Sequence, residues 1–484
     1  MKVPLKLHAG GYQGDSVNVS STRCVNFYPE KMVGEEKSEL SLIGTPGLSL
    51  KTSIGTGPHR GSVEHNGNAY FVSGATLYKR DTAGTNTLIG LISSYSGNVS
   101  MASNGTIGNQ ILIVDGTNGW IYNGTTLVQV TDIDFPTSPT YCIFMDGYFL
   151  VFQTNSMKYY LSAFYNGLVW DGLLIASAER DSDKLINGAI VGKFLYLLGE
   201  YSTEVWYNSG NDFPFDPVTN IFYEKGIAAP GSVAKVTDEV GGDSLMWLGR
   251  DRRGQGEVVR AAQGKYRIAS PPDITKTFSN YTTIADAVAY SYRDNNHTFY
   301  VLTFPTENKT WVYDTSTDLW HERVSGQSAR HKSQTYLFFN GEHLVGDYQN
   351  GNIYKLDLNT YTDNGDPIIS YFTTQHITQD TEQARHNALT LEVEQGTALL
   401  SGQGSNPLVS LEISDNGGHT FGNKRYAEMG IQGDYKKIIK WPFLGTARDR
   451  VYRVTCSEPI KKRIVRLLLD YVEAPGKYKA GKAH

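Results

Sequence analysis

The sequence of 484 residues is poor in cysteine and in charge, and it contains no long apolar run. Its three cysteines, Cys24, Cys142 and Cys456, lie far apart and match no metal-ligand spacing, which favours three reduced thiols. No stretch of 18 apolar residues occurs, and this excludes a membrane-spanning helix. The first residues lack the continuous apolar core of a secretory signal, so we expect the chain to fold in a cytosol.

Motifs of common catalytic sites are also missing. The sequence has no glycine-rich phosphate loop, no His-x-x-x-His pair and no Gly-x-Ser-x-Gly elbow. A glycosidase needs two carboxyl groups about 5–10 Å apart. The acidic residues near the hydrophobic strands lie at turn positions, where we expect them to bond the local backbone: Asp146, Asp243, Asp294 and Glu342. The sequence therefore predicts no catalytic residue, no cofactor, no metal and no enzymatic activity.

One phrase recurs seven times, a turn residue or pair followed by a hydrophobic, aromatic-rich strand. The phrases begin at Gly67, Gly108, Gly147, Gly192, Gly242, Asn296 and Gly341. Their spacing of 39 to 54 residues is close to the roughly 40–50 residues of a four-stranded propeller blade. The 50 glycines and 31 tyrosines agree, because hairpins need positive φ angles and tyrosine suits half-buried strand faces. An all-β fold with a β-propeller of about seven blades is predicted.

Several local signals refine this prediction. Second strands end in aromatic residues, as in Trp120-Ile121-Tyr122, which we interpret as packing between blades in preference to an aromatic floor for a ligand. Asn118-Gly119 and Asn350-Gly351 predict two-residue hairpin turns. The best candidate for a short helix is near residues 282–289.

Composition divides the chain into four predicted segments. Residues 1–57 are rich in proline and glycine, which makes regular structure unlikely and predicts an extended N-terminal arm. The propeller is predicted at 58–385 and an antiparallel β-sandwich at 386–474, where apolar residues alternate at period two. Residues 475–484 form a short basic tail.

Charge is distributed unevenly along the chain. Residues 380–484 carry 16 Lys and Arg against 12 Asp and Glu, a net charge of +4, and residues 1–379 carry 28 against 37, a net charge of −9. This balance does not indicate a protein that grips nucleic acid over its whole surface. The one dense basic cluster, Lys461-Lys462-Arg463 with Arg466, is interpreted as a solvated strand edge in preference to a phosphate site.

Arms and insertions are the places where we expect contacts with partners, because loops carry such contacts more often than scaffolds do. The N-terminal arm, a proline-rich loop at 211–217 with two aromatic residues that look exposed, and a charged hairpin tip at 250–256 supply the interface candidates Val25, Asn26, Phe27, Tyr28, Phe213, Phe215, Arg250, Arg252 and Arg253. Deletion of residues 1–31 is expected to leave a folded monomer that no longer assembles.

The order of several short motifs resembles one protein family. They are Val25-Asn26-Phe27-Tyr28-Pro29, Thr45-Pro46-Gly47-Leu48, Arg60-Gly61-Ser62-Val63-Glu64, Leu77-Tyr78-Lys79, Ser202-Thr203-Glu204-Val205-Trp206-Tyr207, Glu224-Lys225-Gly226-Ile227-Ala228, Val312-Tyr313-Asp314, Ser414 to Gly422 and Arg463-Ile464-Val465-Arg466-Leu467-Leu468-Leu469. The sequence is similar in this respect to the packaged-DNA stabilisation proteins of lambdoid short-tailed phages. The likeness extends over nearly the whole chain, although each motif is short.

The resemblance implies a structural, non-enzymatic component of the virion tail. Members of the family assemble as a ring of about six copies below the portal and its adaptor, the head-completion protein. They help to close the DNA-filled head, and they offer docking sites for the tail needle or plug and for tailspikes or their adaptor. Genomic double-stranded DNA would pass through the channel without sequence-specific binding, and assembly would occur in the host cytoplasm without membrane insertion.

Two other functions stay open from the residues alone. A propeller could bind or cleave host surface polysaccharide, which would require aromatic and acidic residues together at its mouth. A cellular scaffold propeller for protein partners would differ only in context.

Overall fold

A computed structural model describes residues 2–7, 11, 16–32, 37–237, 242–327, 329–378 and 382–473. In these residues nearly all regular structure is β-strand, which confirms the all-β prediction. The chain forms two compact units. The first comprises Met1–Leu48, Lys309–Arg330 and Asp357–His484, and the second comprises Ser49–Asn308 and His331–Leu356. The predicted basic tail lies outside the described residues, and the domain boundaries at residues 57, 385 and 474 stay predictions.

The N-terminal residues form strands, so the expectation of little regular structure there is wrong. The strands are β1 (Lys2–Leu5), β2 (Cys24–Val25), β3 (Phe27–Lys31), β4 (Leu40–Gly44) and β5 (Gly47–Ser53). They join sheets whose other strands lie hundreds of residues away, and such pairing stabilises a strand whatever its local propensity.

Four four-stranded antiparallel sheets follow in chain order in the second unit. The first two contain β6 (His59–His65), β7 (Asn68–Ser73), β8 (Thr76–Arg80) and β9 (Asn86–Leu91), then β10 (Ser100–Ser103), β11 (Ile111–Val114), β12 (Gly119–Tyr122) and β13 (Leu127–Gln129), with helix α1 (Gly105–Gly108) after β10. The next two contain β14 (Pro139–Met145), β15 (Tyr148–Gln153), β16 (Lys158–Ala163) and β17 (Asn166–Ser177), then β18 (Leu185–Val191), β19 (Phe194–Gly199), β20 (Thr203–Asn208) and β21 (Phe215–Tyr223).

Three further groups of strands belong to the second unit. One sheet contains β22 (Gly226–Ile227), β23 (Ala234–Thr237), β24 (Asp243–Arg250), β25 (Gln255–Ala262) and β26 (Lys265–Ile268), with a 3₁₀ turn at Pro230–Ser232. The others are the antiparallel pair β27 (Val288–Asp294) and β28 (His297–Phe304), and the sheet of β32 (Ser333–Phe339), β33 (Glu342–Asp347) and β34 (Asn352–Asp357). Strand β5 adds to this last sheet beside β34.

A short helix, α2 (Pro272–Ser279), precedes β27, so the helix predicted near residues 282–289 is wrong in its position. Proline at the first helical position and Asp273 in the first turn are the sequence signals for the start of this helix. Ile274 and Phe278 lie one turn apart and are fully buried, and this apolar face holds the helix against the fold.

Adjacent groups of strands in the second unit pack face to face through apolar clusters. Separate clusters join the sheets of β6–β9 and β10–β13, of β10–β13 and β14–β17, of β14–β17 and β18–β21, and of β18–β21 and β22–β26. Tyr290 of β27 stacks on Tyr336 of β32, with ring centroids 5.2 Å apart. Phe71 of β7 shares a cluster with Leu344 and Ile353 of the last sheet, which therefore packs against the first. The predicted phrases all fall on strands, namely β7, β11, β15, β19, β24, β28 and β33.

The tight turns that open several phrases share one geometry. In Asn66-Gly67, Asp146-Gly147 and Asn340-Gly341 both residues have φ between 48° and 95°, as a two-residue type I′ hairpin requires. The flanking pairs His65↔Asn68, Met145↔Tyr148 and Phe339↔Glu342 confirm the loop length.

The two Asn-Gly pairs expected to form such turns do not. Gly119 is already the first residue of β12, opposite Val114, so the connection is longer than two residues. The Asp115 carboxylate accepts hydrogen bonds from the backbone N–H groups of Thr117 and Asn118 at 3.0 and 2.8 Å. In the connection before β34, Asp347 accepts from the Gln349 N–H at 2.8 Å. A buried aspartate therefore closes each of these loops.

The first unit contains the remaining strands. They are β29 (Lys309–Asp314), β30 (Leu319–Ser325), β31 (Ala329–Arg330), β35 (Thr362–Asp363), β36 (Asp366–Pro367), β37 (Ser370–Thr373), β38 (Ile377–Thr378), β39 (Ala384–Val393), β40 (Leu408–Ser414), β41 (Arg425–Glu428), β42 (Ile439–Ala447), β43 (Asp449–Cys456) and β44 (Arg463–Glu473). One sheet has the order β3-β4-β44-β39-β42, with β1 beside β44, and a second runs β29-β30-β2-β37-β43-β40-β41 within this unit. Phe27, Leu389, Trp441 and Tyr452 belong to the core that the strands of both sheets enclose.

Candidate interaction surfaces

The four N-terminal interface candidates lie in the core of the first unit. Val25, Asn26, Phe27 and Tyr28 are each 1% exposed. The Asn26 amide donates to the carbonyl oxygens of Val324 and Ile369, both at 2.9 Å, and its Oδ1 accepts from the Val324 N–H at 2.9 Å. These side chains serve the fold of the single chain, which the sequence did not predict, and their role between copies stays a prediction.

The loop at 211–217 is less exposed than its sequence suggested. Phe215 begins β21 and is fully buried, so it has no surface to offer a partner. Phe213 is half-buried beside Tyr159, with ring centroids 6.2 Å apart. Proline and aspartate around Phe215 are typical of surface loops, so the sequence predicted an exposed ring. In the structure Phe215 packs in the apolar cluster between the sheets of β14–β17 and β18–β21.

The arginine hairpin, residues 250–254 between β24 and β25, is built around one tyrosine. The Arg250 and Arg252 guanidinium groups lie 4.8 and 5.4 Å from the ring centroid of Tyr201. Arg250 also donates to the Tyr201 hydroxyl at 3.0 Å, and Arg252 pairs with Asp181 at 2.5 Å. Arg253 is exposed. The hairpin therefore presents cations whose orientation is fixed by cation–π contacts and ion pairs.

Lys225 anchors the base of the arginine hairpin. Its Nζ donates to Asp251 at 2.6 Å and also to the Glu257 carboxylate. Burial lowers the pKa of Lys225, but the hydrogen bonds and charges of Asp251 and Glu257 outweigh burial and raise it above its ordinary value. Burial also raises the pKa of Asp251. The hydrogen bonds that it accepts from Lys225 and from the backbone N–H groups of Arg253 and Gly254 outweigh burial and hold this pKa below its ordinary value. Lys225 and Asp251 therefore both stay charged at neutral pH.

A shallow aromatic cleft lies between the hairpin of β14 and β15 and the neighbouring sheet. Its volume is about 390 Å³, and it is lined by Asp146, Gly192, Lys193, Phe194, Tyr207 and Asn208. Phe194 and Tyr207 are directly opposed on β19 and β20 and are 38% and 40% exposed. The Asn208 amide donates to the Asp146 carboxylate at 3.0 Å. Two accessible rings beside polar groups are typical of a small binding site.

The cations of the basic cluster, Lys461 to Arg463 with Arg466, make ion pairs and one buried hydrogen bond. Lys461 lies 2.6 Å from Glu394, Arg466 lies 2.7 Å from Glu392, and Arg463 pairs with Glu30. Lys462 is only 6% exposed, and its Nζ donates to the Ile368 carbonyl at 2.6 Å. The interpretation as a solvated strand edge is wrong, because Lys462 is buried and the strand of Arg463 and Arg466, β44, lies between β4 and β39.

Two of the acidic turn residues, Asp243 and Glu342, make ion pairs. Asp243 lies 2.5 Å from Lys235, and Glu342 lies 2.7 Å from Lys51.

Burial raises the pKa of the Cys142 thiol to about 12, which keeps it protonated. In the part of the chain that the structure describes, no three His, Cys, Asp or Glu residues are grouped as a metal site requires. No helix in the same part is long and apolar enough to cross a bilayer.

Two family models match consecutive parts of the chain. The one described as "Bacteriophage P22 Gp10, beta-propeller" matches residues 1–361, and the one described as "Bacteriophage P22 Gp10, beta-sandwich" matches residues 370–470. The predicted order of propeller and sandwich is confirmed by these matches.

Comparisons with individual proteins are less specific. No curated protein matches the sequence. Among solved structures, virginiamycin B lyase from Staphylococcus aureus is similar at a TM-score of 0.41 and 12% identity, covering 64% of this chain and 97% of the lyase. The N-terminal domain of Nup159 is similar at a TM-score of 0.40 and 9% identity, covering 68% of this chain and 98% of that domain.

The two family matches span most of the chain. Their descriptions agree with the series of small sheets packed face to face in the second unit and with the two sheets that enclose one core in the first unit. They also agree with the resemblance noted in the sequence. The protein belongs to the bacteriophage P22 Gp10 family and is a structural protein of the phage tail, of the hub or nozzle type.

Proposed function

We propose that the protein is a non-enzymatic subunit of a ring of six copies below the portal and its adaptor. The ring closes the DNA-filled head, stabilises the packaged DNA and forms part of the channel for genome ejection. The observation that carries this proposal is the family match over residues 1–361 and 370–470. The protein resides in the virion tail after assembly in the host cytoplasm.

The charge balance supports a channel through which DNA slides. Residues 1–379 carry a net charge of −9, and a basic wall would instead bind phosphates with an affinity that rises with each contact. An acidic wall repels the duplex and leaves it free to move.

The arginine hairpin and Phe213 are proposed as docking points for the tail needle or plug and for tailspikes or their adaptor. The cations of the hairpin are held in place by Tyr201 and Asp181, so a partner meets an ordered surface. Ordered cations lose little conformational freedom on binding, which favours affinity.

The test is a phage with a nonsense mutation in the gene for this protein. We expect particles that package DNA and then lose it, measured as DNase-resistant DNA per head, with retention restored when the wild-type chain is supplied. Electron microscopy of the complemented particles is expected to show a six-fold ring below the portal. Mutant particles that keep their DNA would contradict the proposal.

A second candidate function, binding of host surface polysaccharide, is favoured by the aromatic cleft. Sugar rings pack on exposed aromatic faces. The Asp146 carboxylate can accept hydrogen bonds from sugar hydroxyl groups, and the Asn208 amide can donate hydrogen bonds to them. Purified protein would be mixed with host polysaccharide, and binding would be measured for the wild type and for Tyr207→Ala. Equal binding by both proteins, or none, would exclude this site.

A further inference from the structure

The first unit exposes one aromatic side chain on an unfavourable backbone. Phe443 lies in β42, its side chain is 87% exposed, and its φ angle is 58°. In this left-handed region a bulky side chain crowds its own backbone, so such residues are rare and are kept where the surrounding structure imposes them. Solvent exposure of a large apolar ring does not stabilise the single chain, and the conformation therefore needs another explanation.

A β-bulge turns Phe443 outward. Ala388 of β39 pairs with Pro442, and His386 pairs with Gly445. Two residues of β42, Phe443 and Leu444, therefore lie opposite one residue of β39, Asn387. In a regular strand Phe443 would point to the same face as buried Trp441. The additional residue gives the inward position to Leu444, which is 4% exposed, and directs Phe443 to solvent.

Hydrogen bonds from the neighbouring strand support the bulge. The Trp441 indole donates to the Arg425 carbonyl at 2.9 Å, and the Arg425 guanidinium donates to the Phe443 carbonyl at 3.4 Å. Tyr426, the next residue of β41, is 62% exposed. Two aromatic side chains are thus exposed where the edge strands of two sheets meet, and we call this region the sandwich edge.

The sandwich edge is also basic. Lys424, Arg425, Lys436 and Lys440 are all exposed, while Lys437 is paired with Glu428 at 2.7 Å. Lysine and proline on edge strands discourage pairing with other sheets. That role does not account for Phe443, because an exposed phenylalanine favours association. An aromatic residue surrounded by cations matches the composition of an interface anchor with a charged rim.

We propose that the sandwich edge of one copy docks on the acidic second unit of another copy, with Phe443 as the anchor. The second unit, Ser49–Asn308 and His331–Leu356, carries 20 Lys and Arg against 26 Asp and Glu, a net charge of −6. The exposed cations of the sandwich edge have the opposite sign, so one chain contains both halves of a complementary contact. Such a contact joins different surfaces of two copies, and repeated head-to-tail contacts close into a ring. This inference rests on the proposed ring and names the surface that forms it.

The experiment compares full-length wild type with Phe443→Gly. Glycine accepts a φ of 58° without strain, so the variant is expected to melt no lower than wild type by circular dichroism while it loses the ring in sedimentation velocity and electron microscopy. Leu400→Ala, which removes a side chain 87% exposed in the first unit outside β41 and β42, is the matched control and is expected to assemble normally.

A second variant covers the case in which Phe443→Gly also alters folding. Lys440→Glu leaves Phe443 and its backbone unchanged, and it is expected to weaken assembly at least tenfold at low salt and less at high salt. Rings formed by Phe443→Gly, or by Lys440→Glu with wild-type affinity at every salt concentration, would overturn the inference and leave the ring proposal standing. Wild-type protein that forms no ring would overturn both.

Discussion

Replacement of Arg60 provides a direct test of how the first two sheets of the second unit are joined. The side chain is 5% exposed, and its guanidinium donates five hydrogen bonds. The acceptors are the carbonyl oxygens of Gly97 at 2.7 Å, Gly74 at 2.9 Å, Ser94 at 2.7 Å and Ser96 at 2.5 Å, and the Ser94 hydroxyl at 2.8 Å. One buried cation thus holds the connection from β9 to β10 and the turn from β7 to β8.

The magnitude follows from what Arg60→Ala leaves behind. The bond to the Gly74 carbonyl is buried, and an unsatisfied buried acceptor costs about 1–3 kcal/mol. The other four bonds are only partly buried, so water can replace some of them, and their net contribution is about 0.5–1.5 kcal/mol each. Because such contributions are not additive, we expect a loss of about 3–5 kcal/mol in the free energy of unfolding of the second unit.

Urea unfolding followed by tryptophan fluorescence measures this loss, and hydrogen exchange at residues 94–97 locates it. Arg60→Lys keeps the charge but cannot direct five donors in a planar fork, so it should recover less than half of the lost stability. Arg253→Ala removes an exposed arginine and should change stability by less than about 0.5 kcal/mol. An Arg60→Ala protein as stable as the Arg253→Ala control would refute the reasoning.

Three further predictions concern the first unit. Burial, with the charge of Arg450, lowers the pKa of His386 to about 4, below the ordinary 6.5. The unfolded chain therefore takes up the proton first, and stability should fall by about 3 kcal/mol as pH drops from 6.5 to 4, a dependence that His386→Gln should reduce in urea titrations at several pH values. Asn26→Ala removes three partly buried hydrogen bonds of a buried side chain and should cost about 2–4 kcal/mol in the same assay, and a change below 1 kcal/mol would contradict the assigned contacts. Deletion of residues 1–31 removes β1 to β3, so near-ultraviolet circular dichroism should show loss of packing in the first unit rather than the folded monomer that the sequence suggested, and an unchanged spectrum would contradict this.

Features set by local periodicity could be predicted from the sequence. The seven repeated phrases became strands because turn residues followed by apolar, aromatic runs satisfy both the hairpin and the packed sheet. Asn66-Gly67 formed its tight turn because both residues accept positive φ. Asn118-Gly119 did not form such a turn, because the Asp115 carboxylate accepts hydrogen bonds from the loop and stabilises a longer connection. The turn propensities of asparagine and glycine do not include the effect of such a neighbouring carboxylate.

Features set by distant pairing could not be predicted. Cys24 and Val25 lie in a proline- and glycine-rich segment, yet their strand β2 pairs with Glu322 and with residues 371–372, and only the folded chain brings these together. Lys462 looked like part of an exposed basic run and is buried against the Ile368 carbonyl. Phe443 follows a proline in a segment of ordinary composition, and the bulge that exposes it depends on the register of β39.

The placement of β5 has a consequence for synthesis on the ribosome. This strand leaves the exit tunnel about three hundred residues before β34, the neighbour with which it shares a sheet. Contacts so remote in sequence form slowly, and β5 stays without this neighbour until β34 has been synthesised. A polypeptide that ends before β34 leaves the edge of β5 without this partner, so the sheet can be completed only in a product that includes Asn352–Asp357.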